Sequence, residues 1–243
     1  MSRINGSSVR ILFVMLVLFI VADARLGAQS EKDPHRPPCT DASCRKIRDF
    51  LKKHYCGESP AGNGPDDGCD LRDRNKRSAD VKVIADYNCE WNATKEAAEC
   101  TQHGQVIPEL RNTLVHELRQ LGLPAKAPGE TYFTVLQSDR AGWLLAQAYY
   151  SHRVGSDIHV CEVVTVIDQN GHVIVLRKLP LKKTDVDVPI VTDWSLLDIA
   201  DMRGNGQVDV ILVADAYEDH WFEVISVQNG SGKTIFSGLG YYL

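Results

Sequence analysis

The chain has 243 residues, 44% of them hydrophobic, a formal net charge of -5 and 7 cysteines. A mildly acidic balance excludes a sequence-independent electrostatic grip on nucleic acid, which needs an excess of Lys and Arg over the binding face. No stretch reaches the roughly 18 to 20 apolar residues that a membrane-spanning helix requires, so no transmembrane segment is expected in the mature chain.

Arg3 and Arg10 precede an unbroken apolar run, Ile11 to Ala22, after which small residues allow cleavage behind Ala24 or Ser30. This three-part layout predicts a signal peptide over residues 1–30 and an extracytoplasmic product, secreted or periplasmic, that starts at Arg25 or Glu31. Cys39, Cys44, Cys56, Cys69, Cys89 and Cys100 cluster in the first half of the mature chain. In an exported protein an even cluster reads as a disulfide framework, and the spacing leaves the pairing open. No cysteine pair has the two-residue gap of a structural zinc site. Cys161 stands alone in a strand-like run and is expected to be a buried free thiol.

Thr40 to Tyr55 carries Cys44, Ile47, Leu51 and Tyr55 at helical spacing, with Arg45, Lys46, Arg48, Lys52 and Lys53 on the remaining surface. Gly57 to Cys69 is rich in Gly, Pro and Asp and is expected to be a loop. Val81 to Tyr87 alternates as one short strand. Two helices are expected next, one over Ala93 to His103 with Gly104 as its stop, and one over Ile107 to Leu121 with Pro108 near its start and Gly122 at its end. His116 and Glu117 do not form a zincin motif, because Gln120 stands where the second histidine belongs. Residues 31–125 therefore read as a cysteine-rich, mainly helical region.

Pro124 to Glu130 marks a boundary, and residues 126–243 read as an antiparallel β domain. Strands are expected at Tyr132 to Leu136, Trp143 to Tyr150, Ile158 to Asp168, His172 to Leu179, Val208 to Ala214, Trp221 to Gln228 and Thr234 to Ser237. Asn170-Gly171 and Asn229-Gly230 are hairpin turn signals. Taken whole, the expected fold class is α+β: a disulfide-braced, mainly helical first part, then an antiparallel sheet arranged as a meander, a partial propeller or a sandwich. Asn92 and Asn229 sit in N-glycosylation acceptor patterns, which count only in a eukaryotic secretory pathway.

The string from Asp198 to Val224 resembles an FG-GAP or VCBS blade segment, here spanning 194–228, in which an Asp- and Gly-rich calcium loop joins two propeller strands. The resemblance implies Ca²⁺ as cofactor, held by Asp201, Asn205, Gln207 and Asp209, with Gly206 at the turn. Arg203 replaces the acid expected at the third loop position; a guanidinium ligates no cation and opposes calcium there unless its side chain swings outward to pair with a surface acid such as Asp219. Only one copy of the motif is present, whereas a propeller needs several. The chain is also similar to small exported bacterial proteins of unknown function with a comparable C-terminal tail.

Asp219, His220 and Glu223 are the catalytic candidates, offering two carboxylates and an imidazole near a hairpin. Strand alternation, however, puts His220, Phe222 and Val224 on one face and Trp221 and Glu223 on the other. No nucleophile elbow, P-loop or dinucleotide fingerprint is present. The expected function is that of an exported, non-enzymatic binding or interaction protein whose ligand and partners the sequence leaves open, with calcium binding that is weak or absent; an exported hydrolase is the alternative.

Overall fold

The computed structural model describes residues 41–56, 77–78, 80–92, 97–139, 142–185, 191–216 and 219–242, all within the unit Pro38–Leu243. The expected signal peptide, the loop from Gly57 to Cys69, and Cys39 and Cys69 lie outside the described residues.

The chain is mostly β, which corrects the expectation of a mainly helical first part. Among the described residues two helices, α1 (Ala42–Tyr55) and α2 (Pro108–Gln120), accompany ten strands: β1 (Val81–Asn92), β2 (Ala97–Gly104), β3 (Glu130–Ser138), β4 (Leu144–Val154), β5 (Asp157–Ile167), β6 (Val173–Asp185), β7 (Asp193–Ala200), β8 (Val208–Ala216), β9 (Asp219–Gln228) and β10 (Ser231–Tyr242). The helix expected over Ala93 to His103 is in fact β2 across its described part. Antiparallel pairing with β1 and the Cys89–Cys100 disulfide, which joins directly opposed residues, override the helix propensity of Ala97, Ala98 and Glu99. Moreover β1 hydrogen-bonds to β3, so the sheet runs straight across the Pro124–Glu130 connection.

All strand pairs are antiparallel. One sheet has the order β2-β1-β3-β4-β5-β6 and the other β10-β9-β8-β7. Side-chain alternation then sorts the apolar residues into three cores. Leu136, Leu145, Val164 and Val166 of the first sheet meet Leu196, Val210, Leu212 and Ile225 of the second. Leu110, Leu114 and Leu118 of α2 cover the outer face of the six-stranded sheet, on Phe133, Val135, Ala148 and Cys161. Ile47, Leu51 and Tyr55 of α1 cover the outer face of the four-stranded sheet, on Ile211, Val213, Phe222 and Phe236. The result is a four-layer sandwich, helix, sheet, sheet, helix, in which each fully buried Leu, Ile or Phe contributes about 1.5–3 kcal/mol.

Local chemistry ends each helix. Asp41 caps α1 by accepting the Cys44 N–H at 2.7 Å, while Lys52, Lys53 and His54 suit the negative end of its dipole. α2 opens on Pro108 and closes in a Schellman motif: Leu123 N–H donates to Leu118 O and Gly122 N–H to Arg119 O, both at 3.1 Å, with Gly122 at φ 101°. The β9–β10 hairpin turns on Asn229 and Gly230, both at positive φ, the type I′ geometry.

Fully buried Asp198 of β7 ties α1 to its sheet. It accepts hydrogen bonds from the Tyr55 hydroxyl, from Ser78 N–H at 2.8 Å and from the Ser78 hydroxyl at 2.9 Å. Cys44, in the first turn of α1, and Cys56, at its C-cap, are also disulfide-bonded, to partners outside the described residues. No helix among the described residues is long and apolar enough to cross a membrane.

Candidate functional site

The calcium-like loop is the β7–β8 connection. Asp201 closes the turn by accepting Asn205 N–H at 3.1 Å and Gly206 N–H at 2.7 Å. Arg203 points inward rather than toward Asp219. Its guanidinium spans Asp209 at 2.7 and 3.2 Å, Gln207 Oε1 at 3.0 Å and Ser226 Oγ at 2.6 Å. Asp209 and Ser226 are direct cross-strand neighbours, so β8 and β9 build this receptor by register alone. Gln207 Oε1 also accepts from Asn205 Nδ2 at 3.0 Å and from Gln228 Nε2 at 2.6 Å. Asn205, Gln207 and Asp209 are thus linked through Arg203 and Gln207, while Asp201 serves the turn. Among the described residues no three His, Cys, Asp or Glu side chains converge as a metal site.

Of the catalytic candidates, His220 and Glu223 do not converge. His220 hydrogen-bonds to Asp215, its cross-strand neighbour, and the Ser195 hydroxyl donates to the same carboxylate at 3.2 Å. Serine and imidazole both spend themselves on Asp215, so the histidine is not placed to activate the serine. Glu223 lies on the opposite face of β9, between the sheets, where it accepts from Arg177 Nε at 2.7 Å, Trp194 Nε1 at 3.2 Å and Trp221 Nε1 at 3.4 Å. The Asp219 side chain lies outside the described ones.

Sequence reasoning missed a second acid between the sheets. Glu162 of β5 is 0% exposed; its Oε1 accepts from Gln147 Nε2 at 2.7 Å and Trp194 N–H at 3.3 Å, and its Oε2 has no hydrogen-bond partner. Burial, reinforced by the nearby Asp193 carboxylate, raises its pKa well above the ordinary value of 4.5. Burial first, with Glu162 and Asp193 among the neighbouring charges, also raises the pKa of the Tyr87 and Tyr149 hydroxyls. Their rings stack at 6.2 Å. An acidic residue inside a Val-rich run, Val160 to Val166, was the only sequence signal for this seam.

A cleft of about 840 Å³ opens between the start of α2, the end of β2 and the start of β3. It exists because β1 pairs with β3 only as far as Ala85 opposite Val135 and then follows β2 instead. The odd-numbered residues of β3 turn their backbone groups toward this gap, since Ser138 N–H bonds across to Trp143 on the β4 side. At Phe133 the missing strand is replaced by a side chain: Gln102 Oε1 accepts Phe133 N–H and Gln102 Nε2 donates to Phe133 O, both at 2.8 Å. One rung further on, the backbone of Thr131 faces the cleft with no paired strand. Arg111 of α2 sits with its guanidinium 5.3 Å from the Phe133 ring centroid on the cleft wall, and Glu130 at the opposite rim accepts the Tyr132 hydroxyl at 2.6 Å. Gly129, at the cleft floor, permits close packing: a Cβ there would lie 2.5 Å from Ser151 O.

Neither a protein family, nor a curated protein, nor a solved structure matches this chain.

Proposed function

We propose that the chain is an exported binding protein that takes an extended, acidic polypeptide segment into the cleft as an added strand on β3. One observation carries this reading: the Thr131 rung is open beside a Phe133 rung that the Gln102 amide already satisfies in the manner of a neighbouring strand. Main-chain hydrogen bonds supply affinity in strand addition, and flanking side chains supply selectivity. Arg111, exposed on α2 at the cleft wall, favours a carboxylate on the incoming segment. Export is supported by the disulfides at Cys44, Cys56 and Cys89–Cys100, which suit an oxidising compartment. In this reading the FG-GAP or VCBS-like segment 194–228 is framework. The hydrolase alternative is weaker, because His220 and Glu223 occupy opposite faces of β9.

The test uses short fluorescent peptides of alternating valine and glutamate, with glutamine analogues, titrated into the oxidised full chain. The glutamate peptides are expected to bind more tightly, and Arg111→Ala to abolish the preference. Thr131→Pro removes the N–H on the open side only, where a proline leaves the β4 ladder intact, and is expected to eliminate binding while the fold persists. Undiminished binding by Thr131→Pro, or none by the unmodified chain, would refute strand addition.

A further inference from the structure

His152 of β4 and His159 of β5 are direct cross-strand partners in the hairpin that turns at Gly155. Opposed residues of an antiparallel pair project from the same face with Cβ atoms about 4.5–5.5 Å apart. Two imidazoles so placed can reach a single ion at metal–nitrogen distances of about 2.0–2.1 Å. Both histidines are half-buried, and neither imidazole has a hydrogen-bond or ion-pair partner among the described residues. Three other described histidines are engaged: His172 is held by Asp168 at 3.0 Å, His220 by Asp215, and His54 stacks on Phe50, while His103 and His116 are exposed and unopposed by a second imidazole.

The surroundings hold the pair in place. Two residues back along each strand, on the same face, Tyr150 and Cys161 are buried in the core under α2, which fixes the base of the hairpin. The chain entering β3 passes close by, since a Cβ on Gly129 would lie 2.6 Å from the His152 Cβ, and this restricts the histidine's rotamers. On the far side of His159, its neighbour Lys183 is drawn to Asp157 by a 2.7 Å ion pair, which directs the ammonium group to another partner. A partnerless imidazole pair is a poor way to stabilise a hairpin, because protonation places like charges directly opposite each other. As a chelate it is preformed.

We propose that His152 and His159 form a binding site for a late divalent transition metal, Cu²⁺ most tightly, with two cis imidazole nitrogens and water in the remaining positions. Imidazole suits copper, nickel and zinc, and the intrinsic order of affinity places Cu²⁺ first. Although Gly129 both lines the cleft and abuts His152, the two readings rest on different side chains, so failure of either leaves the other standing. It is also distinct in chemistry from the oxygen-lined loop at Asp201.

Titration of the oxidised full chain with Cu²⁺, followed by calorimetry and electron paramagnetic resonance, tests the site. One equivalent is expected to bind with two equatorial nitrogens. Since the second imidazole binds intramolecularly, His152→Ala and His159→Ala are each expected to weaken binding by about 100-fold. His116→Ala, a lone exposed histidine on α2, is expected to change nothing. A copper signal that persists unchanged in the double variant, or single variants with the affinity of the parent chain, would overturn the assignment.

Discussion

Burial, reinforced by the nearby Asp193 carboxylate, favours the protonated form of Glu162, whose Oε2 has no hydrogen-bond partner to stabilise the carboxylate. The unfolded chain releases that proton near the ordinary value of 4.5, while the folded chain keeps it to higher pH. The folded state therefore holds more protons, and stability falls as pH rises from that value toward the raised one. Thermal melts across this window are expected to show a Tm that declines in the unmodified chain and is flatter in Glu162→Gln, whose amide cannot ionise; equal slopes would contradict this. Arg203 presents the opposite case. Its guanidinium neutralises Asp209, which is 0% exposed, and removing one partner of a buried pair typically costs about 3–5 kcal/mol. Because that guanidinium occupies the carboxylate a calcium ion would need, Arg203→Asp is expected to gain calcium affinity over the unmodified chain by calorimetric titration, at reduced stability. Affinity unchanged by the substitution would mean that Arg203 is not what limits calcium at this loop. The arginine was visible in the sequence as a break in the loop pattern, but its destination was not, since only the β8–β9 register reveals Asp209 and Ser226 beside it.

Periodicity identified both helices, because Ile47, Leu51 and Tyr55, and likewise Leu110, Leu114 and Leu118, face single cores at i and i+4 steps. It failed for β2, where helix-forming residues are held extended by pairing with β1, and for β7, which periodicity did not mark and only the resemblance implied, as the strand ahead of the loop. A bulge between Leu196 and Asp198 breaks the alternation there and turns Leu197 and Asp198 to the α1 side. The cleft was equally unreadable, because Gln102 and Phe133 meet only through the tertiary divergence of β1 from β3. Cysteine usage was more legible. Cys44, Cys56, Cys89 and Cys100 are in disulfides, and Cys161 is free and buried beneath α2, where burial, aided by Glu162, pushes its pKa to about 11. Alkylation at neutral pH is therefore expected to label no thiol in the folded protein and one in the denatured, unreduced protein. Three labelled sites would show that the bridges at Cys44 and Cys56 are incomplete.

At the scale of the molecule, composition and turn signals pointed to antiparallel strands but could not divide them into sheets of six and four. That division depends on which faces meet: Leu212 and Ile225 look toward the first sheet while their strand neighbours Val213 and Val224 look toward α1. Both faces of β8 are thus apolar, and a strand buried on both sides reads as a continuous hydrophobic run without a preferred direction. The layer order also sets a timetable for biosynthesis. α1 leaves the ribosome first among these elements, yet its resting place includes Ile211 and Val213 of β8, Phe222 of β9 and Phe236 of β10, all translated well after it. The six-stranded sheet, complete by Asp185, can assemble under α2 while α1 waits, tethered but unseated, for the C-terminal strands to arrive. Docking of α1 thus waits on β8 and β9, and a chain cut short before them leaves the apolar stripe of α1 without its core.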